Sequence, residues 1–156
     1  MSHTHTYRTE LAWSGSTGAG YDAYARDHRL TAPPAVTGLD LSSDPAFRGE
    51  PERLNPEQLL LAAASSCQLL SFLAVAARAR VDVVGYTDSA EAVMPEDDKP
   101  MRLTRITLRP VIALGVSSAL VTDRRLDHLV GVAHRECFIA NSLRSEMTIE
   151  ATYVRM

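Results

Sequence analysis

Residues 55–80 read NPEQLLLAAASSCQLLSFLAVAARAR, and this stretch decides the fold of the chain. Asn55 is a favourable helix N-cap, Pro56 suits the first helical position, and Glu57 complements the positive end of a helix. No charged residue occurs from Leu59 to Ala77, and apolar residues lie on all sides of the helix. Such a helix is either buried or spans a membrane. Because serines and alanines interrupt the apolar run and no second such segment accompanies it, we expect a buried central helix and no membrane span.

A second, amphipathic helix is predicted after Thr122, which can act as its N-cap. Its apolar residues recur at the spacing of one helix face, and they are Leu126, Leu129, Val130, Ala133 and Cys137. We therefore expect Cys137 at the C-terminal end of a stripe that faces the core.

Five further segments are predicted as strands, most of them because polar and apolar residues alternate. They are His5–Trp13, Tyr21–Thr31, Val81–Met94, Arg102–Leu114 and Met147–Tyr153. Residues 32–51 are predicted as a long loop, and Pro110 indicates a sheet edge or a bulge. The order strand, strand, helix, strand, strand, helix, strand predicts an α+β fold with largely antiparallel sheets around the two helices.

Composition limits the possible functions. The chain has 156 residues, which fits a single domain over 1–156, and its net charge of −3 excludes a strongly basic nucleic-acid binder. The N-terminal residues contain no continuous apolar run of the kind found in secretory signals, so a cytoplasmic location is expected. In a reducing compartment its two cysteines start as thiols.

Cys67 and Cys137 lie on the two predicted helices, which are the natural pair to pack against each other. Both could be small buried apolar side chains, the commonest role of a free cysteine. Their placement also fits a peroxidatic cysteine and a resolving cysteine, which form a disulfide after oxidation. A peroxidatic thiol must be ionised near neutral pH. Since Cys67 lies roughly three turns inside its helix, the helix dipole gives little help and an arginine is the expected source of positive charge.

A metal site is the competing hypothesis for the same residues. The candidate ligands are Cys67, Cys137, His28, His128 and His134. No two of them have the short paired spacing of a structural zinc site, so we expect neither a metal nor another cofactor. His128 and His134 are expected on the exposed surface of the second helix.

Two motifs resemble the two signatures of the OsmC/Ohr family. The first is Asn55-Pro56-Glu57-Gln58-Leu59-Leu60 with the alanine-rich sequence to Cys67, and the second is Ala133-His134-Arg135-Glu136-Cys137 with Asn141 and Ser142. The resemblance implies an intertwined homodimer with active sites at the subunit interface. It also implies a thiol peroxidase that acts on organic hydroperoxides and is reduced by an external dithiol, for example one of lipoyl type. Neither a nucleic acid nor a membrane is implied as a partner.

The resemblance also implies roles for individual residues. Cys67 matches the peroxidatic cysteine, Cys137 the resolving cysteine, and Glu57 the family's glutamate. Arg26 resembles the strand-borne arginine of the Ohr branch, and Arg48 resembles the arginine of the OsmC branch. We favour Arg26 slightly because it falls on a predicted strand.

Several alternatives stay open at this stage. Arg53 is a third candidate for the arginine, and Glu57 could simply complement the helix N-terminus. Glu57 and Cys67 are ten positions apart, about 15 Å along one helix. If both serve one site, Glu57 comes from a partner chain or acts through an intervening arginine.

The chain departs from the better-known branches at a few positions. Phe138 follows Cys137 where those branches carry proline, and Ser65-Ser66 precede Cys67 where small apolar residues are usual. Residues 44–50 also belong to a longer loop than in the compact members. The alternative hypothesis from a different functional class is a non-catalytic, small-ligand-binding or redox-sensing member of the same fold.

Overall fold

The computed structural model describes residues 3–156. The chain divides into two compact units, one up to Leu59 and one from Leu60 to Met156. The single domain over 1–156 stays a prediction. The elements in chain order are β1 Glu10–Ala12, β2 His28–Thr31, β3 Leu39–Leu41, α1 Pro56–Arg78, β4 Val83–Asp88, β5 Glu91–Val93, β6 Arg105–Leu108, β7 Pro110–Leu114, α2 Asp123–Glu136, β8 Glu146–Ile149 and β9 Thr152–Arg155.

The first unit contains an antiparallel sheet in the order β1-β2-β3. The predicted strand 5–13 is shortened to β1, because only Glu10–Ala12 finds a partner strand among the described residues. The predicted strand 21–31 is likewise wrong in its first half, where residues 21–24 form a turn and a bend. The predicted loop 32–51 contains β3, a strand too short to stand out among the surrounding prolines and glycines.

The second unit contains two three-stranded sheets, with the orders β4-β7-β9 and β5-β6-β8. Each long strand predicted here is broken in two, and its halves belong to different sheets. Adjacent strands pair antiparallel in β4-β7 and β5-β6, and parallel in β7-β9 and β6-β8. The architecture is therefore α+β with sheets in which antiparallel pairs predominate, as predicted.

Pro110 is buried and is the first residue of β7, the central strand of its sheet. The predicted sheet edge or bulge at this position is therefore wrong. The missing N–H is tolerated because the proline stands where one sheet ends and the next begins. There the carboxylate of Asp88 accepts a hydrogen bond from the Arg109 N–H at 2.7 Å.

Helix α1 begins as the sequence predicts. The Asn55 Oδ1 accepts a hydrogen bond from the Gln58 N–H at 2.8 Å, and the Gln58 Oε1 accepts one from the Asn55 N–H at 3.0 Å. This reciprocal arrangement is a capping box. The helix ends at Arg78, two residues before the predicted end, and Arg80 follows with a left-handed φ of 57°.

Helix α2 packs against α1 through the apolar stripe predicted from its sequence. Thr122 caps it by accepting a hydrogen bond from the Arg125 N–H at 3.3 Å. The buried core between α1, α2, β4 and β7 contains Phe72, Val75, Ala76, Ile112, Leu114, Leu126, Leu129, Val130 and Ala133. A smaller buried cluster joins the other end of α1 to β6 through Ala64, Ile106 and Leu108.

The opposite face of α1 is exposed in the single chain. Leu70 is 63% exposed and Leu73 is 38% exposed, and several alanines beside them are also exposed. We expected a central helix packed on several sides, and within the single chain only one face of α1 is buried. By length and composition α1 is apolar enough to cross a membrane. Of its most apolar 18-residue stretch, 28% is buried within the chain.

We predict that Asn55→Ala lowers the free energy of unfolding by about 1–2 kcal/mol, the usual cost of losing an N-cap. The side chain is nearly fully buried, so water cannot replace its hydrogen bonds. Urea unfolding followed by circular dichroism measures the change. Asn55→Ser, which keeps an acceptor oxygen, is the matched control and should lose clearly less. Equal stability of Asn55→Ala and the parent protein would show that α1 does not depend on this cap.

Candidate functional site

The structure brings Cys67 and Cys137 together within the second unit. Cys67 lies in the middle of α1 and is half-buried, whereas Cys137 is the C-cap residue of α2 and is fully buried. Both are free thiols, and each lies close enough to the other to shift its pKa.

Gln68, the neighbour of Cys67 in sequence, helps to hold the two helices at this point. Its side chain is buried, and its Nε2 donates to the Val130 carbonyl of α2 at 3.4 Å. Together with the apolar contacts of Phe72, this polar contact fixes α1 against α2. The position of Cys67 relative to the end of α2 follows from that packing.

The chain turns sharply where α2 ends. Cys137 is extended, with φ −69° and ψ 112°, so the following residues leave the helix axis. The Ala140 N–H donates to the Cys137 Sγ at 3.4 Å. The Asn141 side chain stabilises the turn, because its Nδ2 donates hydrogen bonds to the carbonyls of Arg135 at 2.9 Å and Cys137 at 3.0 Å.

The Cys67 thiol lies in surroundings that favour its ionised form. Burial raises its pKa, but hydrogen-bond donors outweigh burial and hold the pKa below the ordinary value for cysteine. The donors are the Cys137 thiol, the main-chain N–H groups of Ile139 and Phe138, and the Ser71 hydroxyl. Each of them stabilises negative charge on the sulfur.

The pKa of Cys137 is shifted in the opposite direction. Burial raises it, and the hydrogen bond that its thiol makes to Cys67 raises it further. The surroundings therefore favour ionisation of Cys67 over ionisation of Cys137.

A cavity of about 560 Å³ opens beside Cys67. Its walls combine apolar groups with charged groups from both helices, and they include Leu70, Ala74, Phe138, Arg78, Arg135 and Glu136. Arg78 on α1 and Glu136 on α2 form an exposed ion pair at 3.4 Å. Such an exposed pair contributes little to stability, but it places a polar rim beside an otherwise apolar opening.

The predicted arginines and glutamate belong to the first unit. Arg26 falls in the segment before β2 and not on a strand, so the reason for preferring it was wrong. Its guanidinium lies 3.8 Å from the centroid of the Tyr24 ring and donates to the carbonyl oxygens of Tyr21 and Tyr24. Glu57 lies in the first turn of α1 and is half-buried.

Arg48 and Arg53, the other two candidate arginines, form ion pairs within the same unit. Arg48 has a left-handed φ of 67° and pairs with Asp22 at 2.9 Å. Arg53 pairs with Asp27 at 3.3 Å. In the second unit the groups that lower the Cys67 pKa are all neutral donors. The sequence predicts an arginine for this purpose and does not indicate these neutral groups.

His28, His128 and His134 are the histidines among the candidate metal ligands. The His28 Nδ1 lies 2.7 Å from the Arg26 carbonyl oxygen, His128 is exposed, and His134 is half-buried. Among residues 3–156, no group of three or more His, Cys, Asp or Glu side chains is arranged to hold a metal ion.

Sequence reasoning missed three of the groups that surround the Cys67 sulfur. Ser71 follows Cys67 by four positions, so helical spacing alone could have placed it on the same face of α1. The N–H groups of Phe138 and Ile139 belong to the main chain, and the direction of a main-chain N–H cannot be predicted from the residue type. Only the turn after Cys137 reveals them.

Comparisons with known proteins agree with this architecture. The family model for OsmC-like protein matches residues 49–152. An OsmC-like protein of unknown function from Vibrio cholerae is 28% identical, with a TM-score of 0.86 over 96% of this chain and 100% of that chain.

Two organic hydroperoxide resistance proteins share the fold at lower identity. The protein from Elizabethkingia anophelis is 18% identical, with a TM-score of 0.72 over 100% of both chains. OhrB of Bacillus subtilis is 17% identical, with a TM-score of 0.64 over 96% of this chain and 98% of that chain. No curated protein matches the chain. Because the family model covers more than half of its length and the fold agrees throughout, this chain belongs to the OsmC-like family.

Proposed function

We propose that this protein is a thiol-dependent peroxidase that reduces organic hydroperoxides. The observation that carries the proposal is the contact between two thiols whose pKa values are shifted in opposite directions, Cys67 downwards and Cys137 upwards. That difference matches the needs of a nucleophile and a resolving thiol. The hydroperoxide resistance function named for two proteins of the same fold supports it.

In the first step the Cys67 thiolate attacks the outer oxygen of a hydroperoxide ROOH. A sulfur–oxygen bond forms, the O–O bond breaks, and the leaving alkoxide takes a proton to become the alcohol ROH. Cys67 is left as a sulfenic acid, and the peroxide has been reduced by two electrons. The cavity beside Cys67, with its apolar walls, gives an alkyl group a place to bind.

In the second step Cys137 loses its proton and its sulfur attacks the sulfenic sulfur. A disulfide forms, and the hydroxyl leaves with a proton as water. The two thiols are neighbours in the reduced protein, which supports a short approach of one sulfur to the other. An external dithiol, for which a lipoyl-type group is our working choice, then reduces the disulfide and is itself oxidised to a cyclic disulfide.

The proposed assembly is a homodimer. The apolar face of α1 that includes Leu70 and Leu73 is uncovered in the single chain, and exposed apolar surface of this kind usually marks an interface. A second copy of the chain, related by twofold symmetry, would cover it. The proposed setting is the cytoplasm, since a reducing compartment keeps both cysteines as thiols.

Glu57, Arg26 and Arg48 remain proposed site residues in this assembly. Glu57 is too far along α1 to reach Cys67 of its own helix, so we assign it to the site of the second protomer, where it would orient an arginine. Arg26→Met and Arg48→Met separate the two arginines. Only removal of the working arginine should raise the Cys67 pKa towards its ordinary value.

We predict that Cys67→Ser abolishes reduction of alkyl hydroperoxides, because the attacking sulfur is lost. Cys137→Ser should consume about one equivalent of peroxide and then accumulate sulfinic acid on Cys67, because no thiol remains to trap the sulfenic acid. Dithiol-coupled peroxide consumption and intact-protein mass spectrometry measure both results.

Ser66→Ala, one residue away on an exposed part of α1, is the matched control and should keep full activity. Sustained turnover by Cys67→Ser would overturn the proposal. Parent protein that forms the disulfide readily but turns over no hydroperoxide would favour the redox-sensing alternative.

We also predict that Leu73→Glu disrupts the homodimer, because it places a charge in the apolar face of α1. Sedimentation velocity should show a dimer for the parent protein and a large shift towards monomer for the variant. Leu120→Glu is the control, since Leu120 is 97% exposed and belongs to the loop before α2 and not to the apolar face of α1. A parent protein that sediments as a folded and active monomer would contradict the proposed assembly.

A further inference from the structure

The Asn141 side chain holds the main chain on both sides of the C-terminal end of α2. Its Nδ2 donates to the Arg135 carbonyl at 2.9 Å and to the Cys137 carbonyl at 3.0 Å. Both partners are carbonyl oxygens, so the nitrogen of the amide and not its oxygen faces them. The main-chain N–H of Asn141 also donates to the Cys137 carbonyl, at 3.1 Å. One residue therefore supplies two hydrogen bonds to the same carbonyl of Cys137.

The main chain of Cys137 is fixed at both of its polar groups. Its N–H donates to the His134 carbonyl at 3.2 Å, and its carbonyl is held by Asn141. In the reduced protein the Cys137 Sγ accepts a weak hydrogen bond from the Ala140 N–H at 3.4 Å. When Cys137 forms a bond to another sulfur, its Sγ leaves this contact by turning about the Cα–Cβ bond. The fixed main chain then determines where the sulfur points.

We propose that Asn141 is a positioning residue for Cys137 and that its side chain determines the rate of the resolving step. This inference rests on the proposed function, in which Cys137 resolves the oxidised Cys67, and it deepens that function by naming the group that aligns the resolving thiol. A disulfide forms only within a narrow range of distances and dihedral angles. A small misplacement of a reacting group is therefore enough to slow its reaction.

Replacement of the Asn141 side chain can test alignment at little cost to folding, because this residue is exposed. Asn141→Leu removes both side-chain donors, changes no charge and keeps nearly the same volume. The volume matters because Asn141 lines the cavity beside Cys67. The main-chain N–H of residue 141 is retained, so the Cys137 carbonyl keeps one hydrogen bond.

Ser142 provides the matched control in the same turn. Its hydroxyl donates to the Phe138 carbonyl at 2.8 Å, and its side chain is exposed, like that of Asn141. Ser142→Ala removes this hydrogen bond and leaves the carbonyls of Arg135 and Cys137 untouched. A general loosening of the turn would affect both variants alike, whereas lost alignment of Cys137 affects only Asn141→Leu.

The test is the reaction of the reduced protein with one equivalent of dithiodipyridine, a neutral aromatic disulfide. The Cys67 thiolate attacks one sulfur of the reagent, the S–S bond of the reagent breaks, and a first thiopyridone leaves. Cys137 then loses its proton and attacks the Cys67 sulfur of the mixed disulfide. A second thiopyridone leaves as the disulfide between Cys67 and Cys137 forms. Stopped-flow absorbance of thiopyridone thus reports Cys67 in its first phase and Cys137 in its second.

In Asn141→Leu the second phase should slow about tenfold, while the first phase keeps the rate of the parent protein. Ser142→Ala should keep both rates. The inference would be overturned by an unchanged second phase in Asn141→Leu, by equal slowing of both its phases, or by equal slowing of the second phase in Ser142→Ala. A parent protein that releases only the first thiopyridone would also overturn it, since Cys137 would then not resolve Cys67.

If Asn141→Leu does not fold, Asn141→Ala removes the same two donors and should show the same slowing of the second phase alone. An unchanged second phase in Asn141→Ala would again overturn the inference. The reagent replaces the peroxide in this experiment. A parent protein that shows both phases but reduces no hydroperoxide would therefore refute the proposed function alone, whereas a normal second phase in the Asn141 variants would refute the role of Asn141 alone.

Discussion

The packing of α1 against α2 is the constraint on which the site depends. Phe72 and the stripe from Leu126 to Ala133 bury an apolar contact between the helices, and the hydrogen bond from Gln68 to Val130 fixes their relative position. Because Cys67 lies one residue from Gln68, this packing sets its sulfur directly beside the end of α2. The turn that begins at Cys137 then supplies both the second thiol and the main-chain donors.

The charge on Cys67 is stabilised within the second unit by several neutral donors. Mid-helix placement and burial alone would keep the thiol protonated. Hydrogen bonds to an ionised group are stronger than ordinary ones, so a thiol, a hydroxyl and two N–H groups together reverse the direction of the shift. The nearby Cys67 also raises the pKa of Cys137, so in the proposed mechanism Cys137 stays protonated until a sulfenic acid forms on Cys67. In the proposed homodimer, an arginine would strengthen this preference further.

The helices could be predicted from the sequence, and the sheets could be predicted only in part. The Asn55 cap and the charge-free run after it define α1, and the spacing from Leu126 to Cys137 defines α2. The strands were predicted too long because alternation continues through Asp88 to Glu91 and through Arg109, where the chain passes from one sheet to the other. Cys67 and Cys137 could be paired from their positions on two helices. The donors of Phe138 and Ile139 could not be predicted, because side-chain identity carries no information about main-chain direction.

The central claim is that the first proton leaves Cys67 while Cys137 keeps its own. Heteronuclear NMR of the reduced protein, with isotopically labelled cysteine Cβ atoms, follows the two thiols separately through a pH series. We expect the Cys67 Cβ shift to titrate at a pH below the ordinary cysteine value, and the Cys137 Cβ shift to titrate above it. Titration of both thiols together at the ordinary value, or of Cys137 before Cys67, would contradict the account.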